Sequence, residues 1–395
     1  MATGKFINKS VVLKTIRESS SIARKDLIQK TQISSPTITR ILNTLIEKNL
    51  VLDLGIGESN GGRPPQILQF NGNSSLVIGF SWALTELDGV LSNLDGHIVA
   101  EFKRNIPVDF SLEQDLCIID EAVGYFLAQA KQRDIPVKGI GVGVAGYVNT
   151  HGVIMYSVVQ RWRDLDLAAL LKKKYHLDVF VDSGSRAVTV GELLFGSAIG
   201  LDNALVVIND YGLYSGIIIN GEVIKGEDGV AGEIGHCRID LQTDEQRRCL
   251  CGKMNCLAEY SAGRGILKTA QQQLPENSLL SEISQGNPSL LKYTDVLQAT
   301  EQGDSFSCKI VEESAMYFAK TLSNLSIFLN PKAIILSGSV CRNLLFFHTV
   351  ENYFNAQKLK QVYTSTQIKM ASNEKHAGAR GAASLLIDKL LNLEI

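Results

Sequence analysis

The chain has 395 residues, of which 45% are hydrophobic and 20% charged, with a formal net charge of −2. That composition excludes collagen-like, low-complexity and disordered classes. No apolar run approaches the roughly 20 residues of a membrane span, and the start lacks the basic segment and apolar core of a secretory signal, so a cytoplasmic protein with two or three structural units is expected.

The small net charge hides an asymmetry. Ten basic residues against five acidic ones give the first 70 residues about +5, which leaves about −7 for the rest. A basic module on an acidic body predicts that a polyanion meets the N-terminal end only. Seven cysteines in a reducing compartment argue against a disulfide framework.

Three helical patterns occupy the first fifty residues, with apolar residues three and four apart: Val12, Leu13 and Ile16; Leu27 and Ile28; Ile38, Ile41, Leu42, Leu45 and Ile46. Thr31-Gln32-Ile33-Ser34 forms a turn between the second and third, and Ser35 before Pro36 reads as an N-cap with proline at the first helical position. Two short helices joined by such a turn make a helix-turn-helix, with Ser35, Thr37, Arg40 and Asn43 facing the major groove of duplex DNA. A generic three-helix bundle has the same spacing. The tie is broken by two strands, Leu50–Leu54 and Gln66–Phe70, around a glycine-rich tip with Arg63, which make the wing of a winged helix.

Beyond Asn71 the pattern changes to strands and glycines. Leu76–Ser81 and two further runs joined at Asp95-Gly96 predict a meander, and Ala204–Ile208 and Gly216–Ile219 with an Asn220-Gly221 turn repeat it. Buried strands are expected at Gly139–Val144, Val179–Val181 and Ala333–Ser337, a long helix from about Phe306 to Leu329, and a last helix over Ala377–Leu391. The expected fold is α/β, a winged helix-turn-helix followed by a duplicated, two-lobed α/β body. Its divisions are residues 1–70, then 75–185 with 376–395 as one lobe and 186–375 as the other. A Rossmann-like sheet is disfavoured because no GxGxxG follows the first strand.

His236 and, some dozen residues later, Cys249, Cys251 and Cys256 supply one imidazole and three thiolates, the closed donor set of a structural zinc, one per chain. Cys237 is a competing thiol, but in an extended segment it faces away from His236.

Together, Gly61-Gly62-Arg63-Pro64-Pro65, Gly232-Glu233-Ile234-Gly235-His236 and the CxCGxxxC run at 249–256 resemble the ROK family, which joins repressors and kinases on one sugar-kinase fold. The resemblance implies that the two-lobed body is actin-like, and with it a dimer or higher oligomer, a DNA operator as partner and a sugar or other small-molecule effector. It also implies effector contacts from Glu233, His236 and, displaced by one place, Glu259, since Ala258 stands where the family has a glutamate.

Two departures speak against catalysis. Where the family's kinases carry a phosphate-holding DxGGT turn, this chain reads Ser81-Trp82-Ala83-Leu84-Thr85, and side chains occupy the space that glycines leave open. Where the family has Asn-Asp, the chain has Ser183-Gly184, which leaves Asp182 as an imperfect substitute base. The expectation is therefore a transcription regulator, with no catalytic residues and no nucleotide cofactor. A regulator controlled by a protein partner or non-sugar ligand and an active sugar kinase are the alternatives.

Overall fold

The computed structural model describes residues 2–56, 66–83, 85–107, 111–157, 161–240, 246–357, 365–372 and 375–392. The expected wing tip with Arg63, and also Leu84, lie outside them. Two compact units emerge: residues 1–187 with 378–395, and residues 188–377.

The first unit opens with α1 (Ala2–Glu18), β1 (Ile22–Ala23), α2 (Arg24–Thr31), α3 (Ser35–Glu47), β2 (Val51–Ile56) and β3 (Gln66–Phe70). Val12, Leu13, Ile16, Leu27, Ile38, Ile41, Leu42 and Leu45 are all buried, so the three- and four-residue spacing marks the shared core of the helices. The cap of α3 falls one residue earlier than expected. Ile38 N–H donates to the Ser34 carbonyl at 3.0 Å, which makes Ser34 the cap and puts Ser35 and Pro36 inside the first turn. β1, too short to show a period, pairs with β3 to give the wing sheet the order β1-β3-β2.

The same unit continues with β4 (Leu76–Trp82), β5 (Glu86–Asn93), β6 (Ile98–Asn105), α4 (Leu112–Gln132), β7 (Val137–Val144), β8 (Tyr147–Val148), β9 (Ile154–Tyr156), β10 (Arg163–Leu165), α5 (Leu167–Tyr175), β11 (Asp178–Ser183) and the start of α6 (Gly184–Phe195). The main sheet has the order β11-β7-β4-β5-β6. The meander β4-β5-β6 is antiparallel, and β7 and β11 run parallel to β4. The small sheet β10-β9-β8 has strands too short for sequence periodicity to register.

Alternation along β4 decides which layer covers which face. Leu76, Ile78, Phe80 and Trp82 join a core with Ile119, Val123 and Phe126 of α4. Gly79 on the opposite face lies in register with Gly141 of β7. A Cβ on Gly79 would sit 2.1 Å from the Ala379 carbonyl oxygen, and one on Gly141 would sit 1.8 Å from that of Ala382. The two glycines and these alanines thus let the last helix, α14 (Ala377–Leu391), lie with its backbone directly on the sheet.

The second unit repeats the plan. After the rest of α6 come β12 (Ala204–Asn209), β13 (Leu213–Ile219) and β14 (Glu222–Ile224), and then the helices α7 (Ala258–Ser261), α8 (Gly263–Gln272), α9 (Leu279–Ile283), α10 (Tyr293–Glu301) and α11 (Ser305–Leu329). β15 (Ala333–Ser337), α12 (Ser339–Arg342), α13 (Leu344–Ala356) and β16 (Gln367–Met370) complete it. Its sheet, in the order β14-β13-β12-β15-β16, again pairs an antiparallel meander with two strands parallel to its first. Leu205 and Val207 face the helical core with Phe318 and Phe346, while Ala204 and Val206 face a smaller cluster with Val188 and Ala198. A sheet covered on both faces accounts for the continuous apolar runs of β12 and β15.

Candidate metal centre and DNA-facing surface

Gly232, at φ +93°, lies against β13, where a Cβ would meet the Ser215 carbonyl oxygen at 1.9 Å. Only glycine fits, and the chain then turns through one 3-10 turn, Ile234–His236, that presents Glu233 and His236. Leu257 N–H donates to the Cys237 carbonyl at 2.8 Å and Ile239 N–H to the Asn255 carbonyl at 3.0 Å. This short antiparallel contact brings Cys256 beside His236 across twenty residues of sequence. Cys249 and Cys251 arrive on a tight turn closed by the Cys249 N–H to the Lys253 carbonyl at 2.8 Å.

The donor atoms of His236, Cys249, Cys251 and Cys256 lie within 4.8 Å of one another. Cys249 Sγ is 3.6 Å from His236 Nδ1, and Cys251 Sγ is 3.6 Å from Cys256 Sγ. A tetrahedral zinc with its usual bond lengths separates sulfur from nitrogen by about 3.6 Å and sulfur from sulfur by about 3.8 Å. The donor set and its spacing therefore fit such an ion. Cys237 is not among the four and packs against the helical core instead.

Burial, with Arg264 adding to it, holds the His236 imidazole below its ordinary range, which favours the neutral ring that ligates metals. Burial and the neighbouring thiols push Cys256 up to about 12, a field that a divalent cation reverses. Glu233 Oε2 stands 4.0 Å from His236 Nε2, so a carboxylate backs the imidazole on the side away from the sulfurs. Glu259 is buried and accepts from Arg264 Nε at 2.9 Å.

Near the end of β11, Asp182 is engaged by its neighbours. Its Oδ1 accepts from Arg186 Nε at 2.6 Å and from Ser183 N–H at 2.8 Å, and Arg186 Nη2 donates to the Val148 carbonyl at 2.7 Å. Both side chains are buried. Trp82, at the end of β4, is buried and packs edge-on to Trp162 at 4.9 Å.

On the winged helix, Ser35, Arg40 and Asn43 are exposed and Thr37 is half-buried along the outer side of α3. One residue that the sequence reading passed over ties the module together. Arg24, at the start of α2, donates to Thr39 on α3 and, at 3.5 Å, to Gln66 on β3, while Gln66 Nε2 donates to Asp53 of β2 at 2.6 Å. Arg186 and Arg264 were passed over as well. The four-residue spacing from Asp182 was a readable hint for Arg186, whereas nothing local joins Arg264 to Cys249.

The profile of the ROK family matches residues 78–389. The xylose repressor of Bacillus subtilis (strain 168) is 27% identical over 98% of this chain and 97% of its own. A crystal structure of a ROK family transcriptional regulator, a homologue of the E. coli MLC protein, superposes with a TM-score of 0.84 at 24% identity, covering 98% of this chain and 97% of that one. A ROK family glucokinase from Streptomyces griseus, solved with glucose and AMPPNP, matches with a TM-score of 0.68 at 26% identity over 79% of this chain and 99% of its own. With the duplicated sheet, the GEIGH turn and the cysteine cluster on one chain, and a family profile over most of its length, this protein belongs to the ROK family.

Proposed function

We propose that the protein is a DNA-binding transcriptional repressor of carbohydrate-metabolism genes, with a ROK body that senses an effector and catalyses nothing. The observation that carries this reading is the likeness to a repressor along 98% of the chain, which takes in the basic winged helix that the glucokinase match, at 79% coverage, leaves out. Residues 1–70 are the DNA-binding domain, with Ser35, Thr37, Arg40, Asn43 and Arg63 as its DNA contacts. Residues 75–185 with 376–395, and 186–375, are the two lobes of the sensor. His236, Cys249, Cys251 and Cys256 hold one structural zinc, which when bound cross-links the 236–256 segment. A homodimer matches the two-fold symmetry of most operators.

The absence of catalysis rests on two independent features. Asp182 is engaged by Arg186, and Ser81, Ala83 and Leu84 replace the aspartate and the two glycines of the family's phosphate-holding turn. The same features, with Glu259 held by Arg264, favour a second reading in which the effector is not a neutral sugar or is a protein partner. Glu233, His236 and Glu259 are the residues assigned to the effector site.

One experiment tests both readings. Purified protein is titrated onto promoter fragments of neighbouring sugar genes, and then screened by thermal shift against monosaccharides, sugar phosphates and sugar acids. Promoter binding released by a compound that also raises the melting temperature is the expected result. No selective DNA binding overturns the repressor reading, and release without any sugar shift supports the second one.

A further inference from the structure

The metal cluster is not isolated from charged groups. Arg264 Nη2 lies 3.7 Å from Cys249 Sγ, within donor range for sulfur, and Arg264 Nε donates to Glu259 Oε1 at 2.9 Å. The Arg264 side chain is 16% exposed and that of Glu259 9%, so neither contact is a loose surface pairing. The backbone presets this geometry. Gly263 N–H donates to the Asp210 carbonyl at 2.7 Å and Arg264 N–H to the Tyr211 carbonyl at 3.1 Å, which pins the start of α8 to the β12–β13 turn. Asp210 is itself held, since its Oδ1 accepts from Ser339 N–H and Oγ at 2.6 Å.

We propose that Arg264 is an outer-sphere positioning residue of the metal centre, donating a hydrogen bond to the metal-bound Cys249 sulfur while Glu259 holds its guanidinium in orientation. The inference rests on the reading of the cluster as a zinc site. Three thiolates and a neutral imidazole around a divalent ion leave one excess negative charge, and a partly buried anion of this kind is stabilised by a fixed donor. The planar guanidinium offers separate N–H groups to sulfur and carboxylate at once, which an ammonium on a flexible stem does not do in a fixed geometry. Glu259 thereby acquires a role that does not require contact with an effector: it orients the arginine that faces the metal.

The test compares the full-length reduced protein with Arg264→Gln and Arg264→Lys. Zinc affinity is measured by competition with a chromophoric chelator, and the thiolate-to-metal charge-transfer band is recorded after cobalt substitution. Loss of an outer-sphere donor lowers metal affinity about 10–100-fold. Arg264→Gln is expected to lose that much and to shift the cobalt band to lower energy, because sulfur lone pairs relieved of a hydrogen bond rise in energy. Arg264→Lys should fall between it and the parent, and it serves alone if Arg264→Gln does not fold. A role confined to packing would lower thermal stability without moving the band. A folded variant with parental affinity and an unshifted band overturns the proposal while leaving the zinc reading intact. A parent protein that binds no metal overturns both.

Discussion

The Asp182 carboxylate and the Arg186 guanidinium form a buried ion pair, joined at 2.6 Å where the sequence had suggested a substitute base. Removing one partner of such a pair strands a charge in a medium that solvates it poorly, at a cost of about 3–5 kcal/mol. Arg186→Met is expected to lower unfolding free energy by that order in urea denaturation, and the double variant Asp182→Asn, Arg186→Met to recover part of it. Equal stability of the single variant and the parent would show that the pair is solvated in solution.

The same pair bears on activity. Gly184 has room for a Cβ, which would make only an ordinary contact with the Val144 carbonyl oxygen at 3.6 Å. Gly184→Asp should therefore fold and still show no sugar-dependent ADP release and no ATP binding by calorimetry, because a base alone does not supply the phosphate cradle. Turnover in the parent chain that is abolished by Asp182→Asn would restore the kinase reading.

For DNA binding, Arg40→Ala and Arg63→Ala should each weaken operator affinity. Phosphate contacts release counterions, so binding by the parent falls steeply between 50 and 200 mM salt, by roughly 1000-fold or more for six or more contacts. If Arg40 reads a base, its loss costs about 1–3 kcal/mol on the operator and less on unrelated duplex. Arg24→Ala should also weaken binding, although Arg24 is already engaged by Thr39 and Gln66, because it unties the recognition helix from the wing. Fluorescence anisotropy over a salt series separates these cases, and unchanged affinity in all three variants would remove the winged helix from DNA recognition.

Metal content should be one zinc per chain by elemental analysis. Cys251→Ser should lose metal and melting temperature together, because the binding free energy of a closed site is also folding free energy. Prolonged chelation of the parent should reproduce the loss, and re-addition of zinc should reverse it. Cys237→Ser, outside the four donors, should keep its zinc.

Asp115 supplies a pH-dependent signature. It is 2% exposed, and burial pushes its carboxyl up to about 6, with Trp162 acting in the opposite direction. A carboxyl that binds its proton more tightly folded than unfolded favours the native state at low pH. That advantage is lost as pH rises from the unfolded value near 3.8 to about 6, and the penalty persists above. Asp115→Asn should therefore be more stable than the parent at pH 7, by at most about 3 kcal/mol, with the gap closing below about pH 4. A gap independent of pH would locate the effect in packing instead.

Much of this protein could be read from sequence because its informative signals are local. The apolar spacing of α3, the Asp95-Gly96 and Asn220-Gly221 turns, the extent of α14 and the crowding of three cysteines within eight residues all depend on hydrogen bonding and periodicity over a few positions. Composition likewise separated a basic N-terminal module from an acidic body. The cap of α3 slipped by one residue, and β1 and β8–β10 escaped, because pairs and triplets of residues carry no period.

What tertiary structure alone decided are the meetings of residues distant in sequence. The contact between segments 237–239 and 255–257 brings His236 to the cysteines, and the pinned start of α8 brings Arg264 to Cys249. The close approach of α14 to Gly79 and Gly141 joins positions some 300 and 240 residues apart. In each case the partner is chosen by where the backbone goes, and burial then makes the pairing obligatory, since a charge or polar atom withdrawn from water must find its partner inside the fold.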